Sequence, residues 1–69
     1  MITEAEAIER AKERLAQMNV ALKDRQAVVS LAGEEYKVVF PPPVHTLGGD
    51  FTLFVDAQTG VVRRVTIER

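Results

Sequence analysis

Cysteine is absent from the 69 residues. That absence removes disulfide scaffolding, thiolate catalysis and thiolate-based zinc sites together. Histidine occurs once, at His45, and a metal centre built on one imidazole without thiolates is a poor start, so no metal or other cofactor is expected. No apolar run approaches the roughly 20 residues of a membrane span, and no membrane insertion is expected. Neither sign of charge dominates: 9 basic residues face 10 acidic ones, for a formal net charge of −1. A binder that neutralises nucleic-acid phosphates, or a polybasic membrane anchor, needs a clear basic excess, so neither is expected. Met1-Ile2-Thr3-Glu4 leads straight into charged sequence with no basic and apolar leader pattern, which makes the cytoplasm the expected location unless a leader lies upstream.

What is present reads as one small folded domain, residues 1–69. A hydrophobic share of 46% beside 28% charged residues is a globular composition, not a disordered one. A chain this short buries only about 60% of the surface it exposes when unfolded. A deep private pocket is therefore hard to build, and no small-molecule substrate is expected. Association with another protein or a second copy is a natural way to bury more.

The chain begins with a helix signal. Thr3 and Glu6 have capping-box spacing, and two carboxylates in the first turn suit the positive end of the helix dipole. Ile8, Ala11, Leu15 and Met18 recur at helical spacing, with Ala7 widening the face, which predicts a helix over about 4–18 ending near Asn19. Val20 and Leu22 follow in a short connector and are expected to tuck under the sheet. Residues 26–32 and 34–40 are β-rich runs around Gly33, a hairpin signal. Pro41-Pro42-Pro43 ends the second run, since proline donates nothing to a ladder. Residues 51–55 and 61–68 form a second hairpin around Asp56-Ala57-Gln58-Thr59-Gly60. There Asp56 suits an Asx turn and Gly60 a left-handed backbone. The expected fold is α+β: one N-terminal helix packed on a four-stranded antiparallel sheet of two hairpins.

Strand alternation assigns the faces. Val29, Leu31, Tyr36, Val38, Phe40, Phe51, Leu53, Val55, Val65 and Ile67 go to the helix-covered core, Ala27 sharing a strand face with Val29 and Leu31, and Val61 with Val65 and Ile67. Arg63 and Arg64, adjacent in a strand, are expected to point in opposite directions and form no common patch. Val28, Val39, Phe54 and Val62 are left on the outer face. A face meant only for water would be more polar, so these four are the candidate partner-binding residues.

No catalytic set emerges, and the chain is read as a non-enzyme. His45 with Asp50 and Thr46 lacks any spacing that defines a base, an orienting group and a nucleophile, and a solvated loop histidine accounts for it. Gly48-Gly49 leads into a strand and not into a helix N-terminus, as a phosphate cradle would. The three prolines lack the longer motif and flanking basic residue of a polyproline ligand, and terminate a strand.

The stretch 51–62, Phe-Thr-Leu-Phe-Val-Asp-Ala-Gln-Thr-Gly-Val-Val, resembles the terminal hairpin of PepSY domains, with its Asp-Ala-x-Thr-Gly turn. The opening Ile2-Thr3-Glu4-Ala5-Glu6-Ala7-Ile8-Glu9-Arg10-Ala11 is similar to the start of their helix. Gly48-Gly49-Asp50-Phe51 is similar to the strand start in bacterial immunity-protein domains of cystatin-like or nuclear-transport-factor-like fold. Together these cover about a third of the chain. The triple proline departs from the PepSY pattern. The resemblance implies a non-catalytic module that binds or inhibits another protein, a peptidase or a toxin, and carries no catalytic residue over. The alternative is a structural domain that dimerises through the same outer face, with no separate ligand.

Overall fold

The computed structural model describes residues 1–20, 22, 25–42 and 49–67. His45, with Pro43, Val44, Thr46, Leu47 and Gly48, lies outside the described residues. Helix α1 spans Glu4–Gln17, followed by strands β1 (Val28–Ala32), β2 (Glu35–Phe40), β3 (Phe51–Asp56) and β4 (Val62–Ile67). The strands form one antiparallel sheet in the order β1-β2-β3-β4, with α1 packed on one face.

Both ends of α1 are closed by local chemistry. The Thr3 hydroxyl accepts from the Glu6 N–H at 3.1 Å, one of the four donors a helix start leaves unpaired. At the other end Asn19 takes a positive φ of 61°, a conformation asparagine tolerates better than most residues. The Val20 N–H then donates to the Leu15 carbonyl at 2.9 Å and the Asn19 N–H to that of Ala16 at 3.0 Å, a complete Schellman motif. Val20 packs against the core, as such a motif favours, and Leu22 joins it there.

The core lies between α1 and the two central strands. Ala7, Ala11 and Leu15 meet Tyr36, Val38, Phe40, Leu53 and Val55, all buried. Two alanines on the helix face bring it close to the sheet, and Leu15 fills the space beyond them. Ile8 is half-buried. Met18 was expected on the same stripe but is 39% exposed, because the helix has already ended at Gln17 and Met18 belongs to the cap.

One helix cannot cover the whole sheet. Outer strands of a four-stranded sheet stand about 14 Å apart, while a helix body is about 10 Å wide. The inner face is therefore open at its edges. Leu31 on β1 was expected in the core and is 53% exposed, and Ile67 on β4 is 38% exposed.

Two polar side chains lock the ends of the sheet. The Tyr36 hydroxyl donates to the Ile2 carbonyl at 2.9 Å, and the Ile2 N–H donates to the Ala57 carbonyl at 2.7 Å, pinning the N-terminal segment to the β3–β4 turn. At the opposite end Arg25 donates to the carbonyls of Phe40 and Gly49, at 3.4 and 3.3 Å. Its guanidinium lies 4.2 Å from the centre of the Phe51 ring. Arg25 thereby clamps the end of β2 to the start of β3.

Leu15→Ala empties the centre of this core and is expected to destabilise the chain by about 2–5 kcal/mol. Glu13→Ala, on the exposed side of α1, is expected to stay within about 0.5 kcal/mol of the parent. Urea melts of the two variants check the assignment, and equal effects would contradict it.

Candidate functional site

The β3–β4 hairpin decides what the outer face displays. Its turn is built by Asp56: one carboxylate oxygen accepts from the backbone N–H of Gln58 at 2.8 Å and of Thr59 at 3.0 Å. Gly60 has φ of +80° and donates to the Asp56 carbonyl at 2.8 Å. The Asp56 N–H donates to the Val61 carbonyl at 2.8 Å, which closes the turn. Closing on Asp56 and Val61 places Val62 opposite Val55.

Continued without interruption, that register would turn Arg64 and Thr66 toward the helix and Val65 and Ile67 toward solvent. A one-residue slip inverts a strand in this way. The chain avoids the inversion with a bulge. Val55 pairs with Val62, but Phe54 pairs with Arg64, so Arg63 is the extra residue. Beyond it Leu53 meets Val65 and Phe51 meets Ile67, apolar beside apolar.

Two expectations about the faces are corrected by this bulge. Val62 shares the helix-side face with its partner Val55, packs against the core and lines the groove beneath α1, so it does not belong to the outer patch. Val61, expected to share a strand face with Val65 and Ile67, is 59% exposed because it belongs to the turn closure. Arg63 and Arg64, expected on opposite faces, converge on the same outer face. Arg63 lies 2.8 Å from Asp56 Oδ2, and Arg64 lies 3.1 Å from Glu35 Oε1.

The outer face is thus graded from one end to the other. At one end Val28 of β1 sits beside Val39 of β2, followed by Thr52 and Thr66. Val28 is 59% exposed and Val39 half-buried. In the middle Phe54 stands between Lys37 and Arg64. The Arg64 guanidinium covers the Phe54 ring at 4.1 Å from its centre, which leaves Phe54 half-buried instead of openly exposed. At the other end Glu35 and Asp56 are neutralised by the two arginines. Of the four candidate residues, Val28, Val39 and Phe54 share this face and Val62 does not.

Asp56 titrates below its ordinary value of 3.8. The Thr59 and Gln58 N–H bonds stabilise its anion most, burial opposes them less strongly, and Arg63 and the Thr59 hydroxyl add smaller favourable effects.

The groove that Val62 lines runs between α1 and the β3–β4 turn. It has a volume of about 350 Å³ and is lined by Arg10, Glu13, Arg14 and Gln17 opposite Thr59, Gly60, Val61 and Val62. Arg10 is paired loosely with Glu13 at 3.8 Å, and Arg14 donates to Gln17 at 3.4 Å. The groove is open to solvent. Among the described residues no group of three His, Cys, Asp or Glu side chains is placed to hold a metal, and no described helix is long and apolar enough to cross a membrane.

What defines the chain structurally is a small α+β domain whose uncovered sheet face combines an aliphatic end with an arginine-capped phenylalanine. Comparison with models of known protein families, with characterised proteins and with solved structures finds no match to the chain.

Because the native Asp56 carboxyl is held below its unfolded value, its contribution to stability is present above pH 3.8 and is lost as pH falls through the lower native value. Asp56→Ala is therefore expected to melt below the parent at pH 7, with the gap narrowing progressively once the pH drops under 3.8. Thermal melts across that range check it. A gap that stays constant into acid would mean that Asp56 does not build the turn as an anion.

Proposed function

We propose that the chain is a non-enzymatic protein-binding module, of the binding or inhibitory kind that the PepSY-like and immunity-like resemblance implies, acting through the outer sheet face. The observation that carries the reading is Phe54 at the centre of that face, stacked under Arg64 and adjoining the Val28–Val39 pair. Aromatic and arginine side chains are over-represented where protein interfaces concentrate their binding energy. An arginine already stacked on a ring loses less freedom on binding than one waving in water. Arg63 and Arg64 hold opposite charges around the site's margin, where a polar rim belongs. The partner-binding residues are then Val28, Val39, Phe54 and Arg64.

Phe54→Thr tests this reading, since threonine keeps the strand preference and matches Thr52 and Thr66 on the same face. Folding is expected to weaken by only about 1 kcal/mol, from the lost stacking and partial burial. Capture experiments on extracts of the source cells, quantified by mass spectrometry, are expected to recover a protein with the parent chain and with Glu13→Ala, and to lose it with Phe54→Thr. Retention of the same proteins by all three would contradict the reading.

A further inference from the structure

The two edges of the sheet are built differently. Edge strand β4 carries Arg63 and Arg64 and a bulge, which are devices that keep an edge from pairing with another chain. Edge strand β1, Val-Val-Ser-Leu-Ala, has none of them. It is the one strand of the four without a charged residue, and its pairing to β2 is regular from end to end. The uncharged stretch extends back through Gln26 and Ala27. β1 also exposes apolar side chains on both faces: Val28 at 59% on the outer side and Leu31 at 53% on the helix side.

The helix repeats the asymmetry. Its flank toward β4 presents Arg10, Glu13, Arg14 and Gln17. By helical geometry the opposite flank, toward β1, presents Ala5, Ile8, Glu9, Lys12 and Ala16, with two charges among five residues. The β4 side carries more charge, although Val61 and Ile67 are exposed there too, and on the β1 side no other described strand covers the outer row of backbone donors and acceptors.

We propose that β1 is the seam of a symmetric homodimer, in which it pairs antiparallel with β1 of a second copy and the two sheets join into one of eight strands. The strand's own sequence favours a second copy over a foreign strand. A two-fold axis through Ser30 sets Ser30 against Ser30, Val28 against Ala32 and Val29 against Leu31 of the other copy. Each exposed branched residue then meets a smaller or differently branched one, and no charge meets a like charge. Just beyond the strand Glu34 falls opposite Gln26, again without repulsion. In a continued sheet paired residues share a face, so both helices lie on the same side and the half-covered Leu31 side chains lie between them. This inference does not rest on the outer-face reading, because the seam is a backbone edge and not the Phe54 surface. The two are compatible: joining the sheets leaves both outer faces open, with the Val28–Val39 row of each copy running into the Ala32–Glu35 row of the other.

The cysteine-free chain makes the register testable. Residues directly opposite in an antiparallel pair stand about 4.5–5.5 Å apart at Cα, within disulfide range. Ser30 and Thr66 are both exposed on the outer face, one on each edge strand. In solution the parent chain is expected to reach about twice its 7.7 kDa mass with rising concentration in sedimentation or light-scattering measurements. Under mild oxidation Ser30→Cys is expected to form a disulfide-linked dimer, and Thr66→Cys to lag well behind. Ser30→Lys, which sets like charges together at the axis, is expected to weaken association several-fold at low salt while its circular dichroism stays that of the parent. A chain that remains at its single-chain mass up to millimolar concentration overturns the proposal, even where β1 captures a strand from another protein. So does Thr66→Cys crosslinking as readily as Ser30→Cys.

Discussion

The β3–β4 turn and the rest of that hairpin require different registers, and the Asp56 carboxylate stands where the two are reconciled. One of its oxygens organises the Gln58 and Thr59 amides into the turn, and the other meets Arg63. Arg63 is the residue the bulge adds. The same carboxylate therefore shapes the turn that creates the mismatch and holds the side chain that absorbs it. The resulting register packs Val62 and Val65, both half-buried, against the core and places Arg64 over Phe54. Every outward-facing feature of β3 and β4 follows from it. The ion pairs join exposed arginines to largely buried carboxylates, and their main effect is on geometry.

A second constraint is the ratio of one helix to four strands. Two alanines and a leucine seat α1 closely over the central strands, which gives this short chain a dense core. The cost falls on the sheet's edges, where Leu31 and Ile67 stay partly open. Along β4 the chain offsets that exposure with arginines and a bulge, and along β1 it does not. The domain is thus more heavily charged along β4 than along β1, in addition to having a helix-covered and an open face.

Much of this was legible in the sequence because it rests on local rules. The Thr3 cap, the helix stripe of Ala7, Ala11 and Leu15, the four β-rich runs and the Asp56–Gly60 turn each depend on neighbours a few residues apart. The misreadings arose where strict alternation was extended through Val61-Val62-Arg63-Arg64-Val65. Two polar residues in succession between inward-facing valines are the mark of a bulge, and reading them that way would have returned Val62 to the core and both arginines to the outer face. Leu31 and Ile67 were misjudged because periodicity reports which face a residue occupies, not whether a helix is wide enough to cover it. The Arg25 clamp and the Tyr36 bond to Ile2 join positions 15 to 34 residues apart, and short-range patterns carry no record of them. Of the candidate site, Val28, Val39 and Phe54 were legible, while the guanidinium over Phe54 was not.

The register change at Arg63 is the claim on which the outer face, its candidate partner surface and the placement of both arginines depend. Cross-strand nuclear Overhauser effects along β3 and β4 of the labelled chain in solution test it most directly. The bulged hairpin predicts backbone contacts between Val55 and Val62 and between Phe54 and Arg64, with Arg63 lacking a partner of its own. Contacts pairing Val55 with Arg63 instead would mean that the ladder runs without a bulge, and would contradict the account.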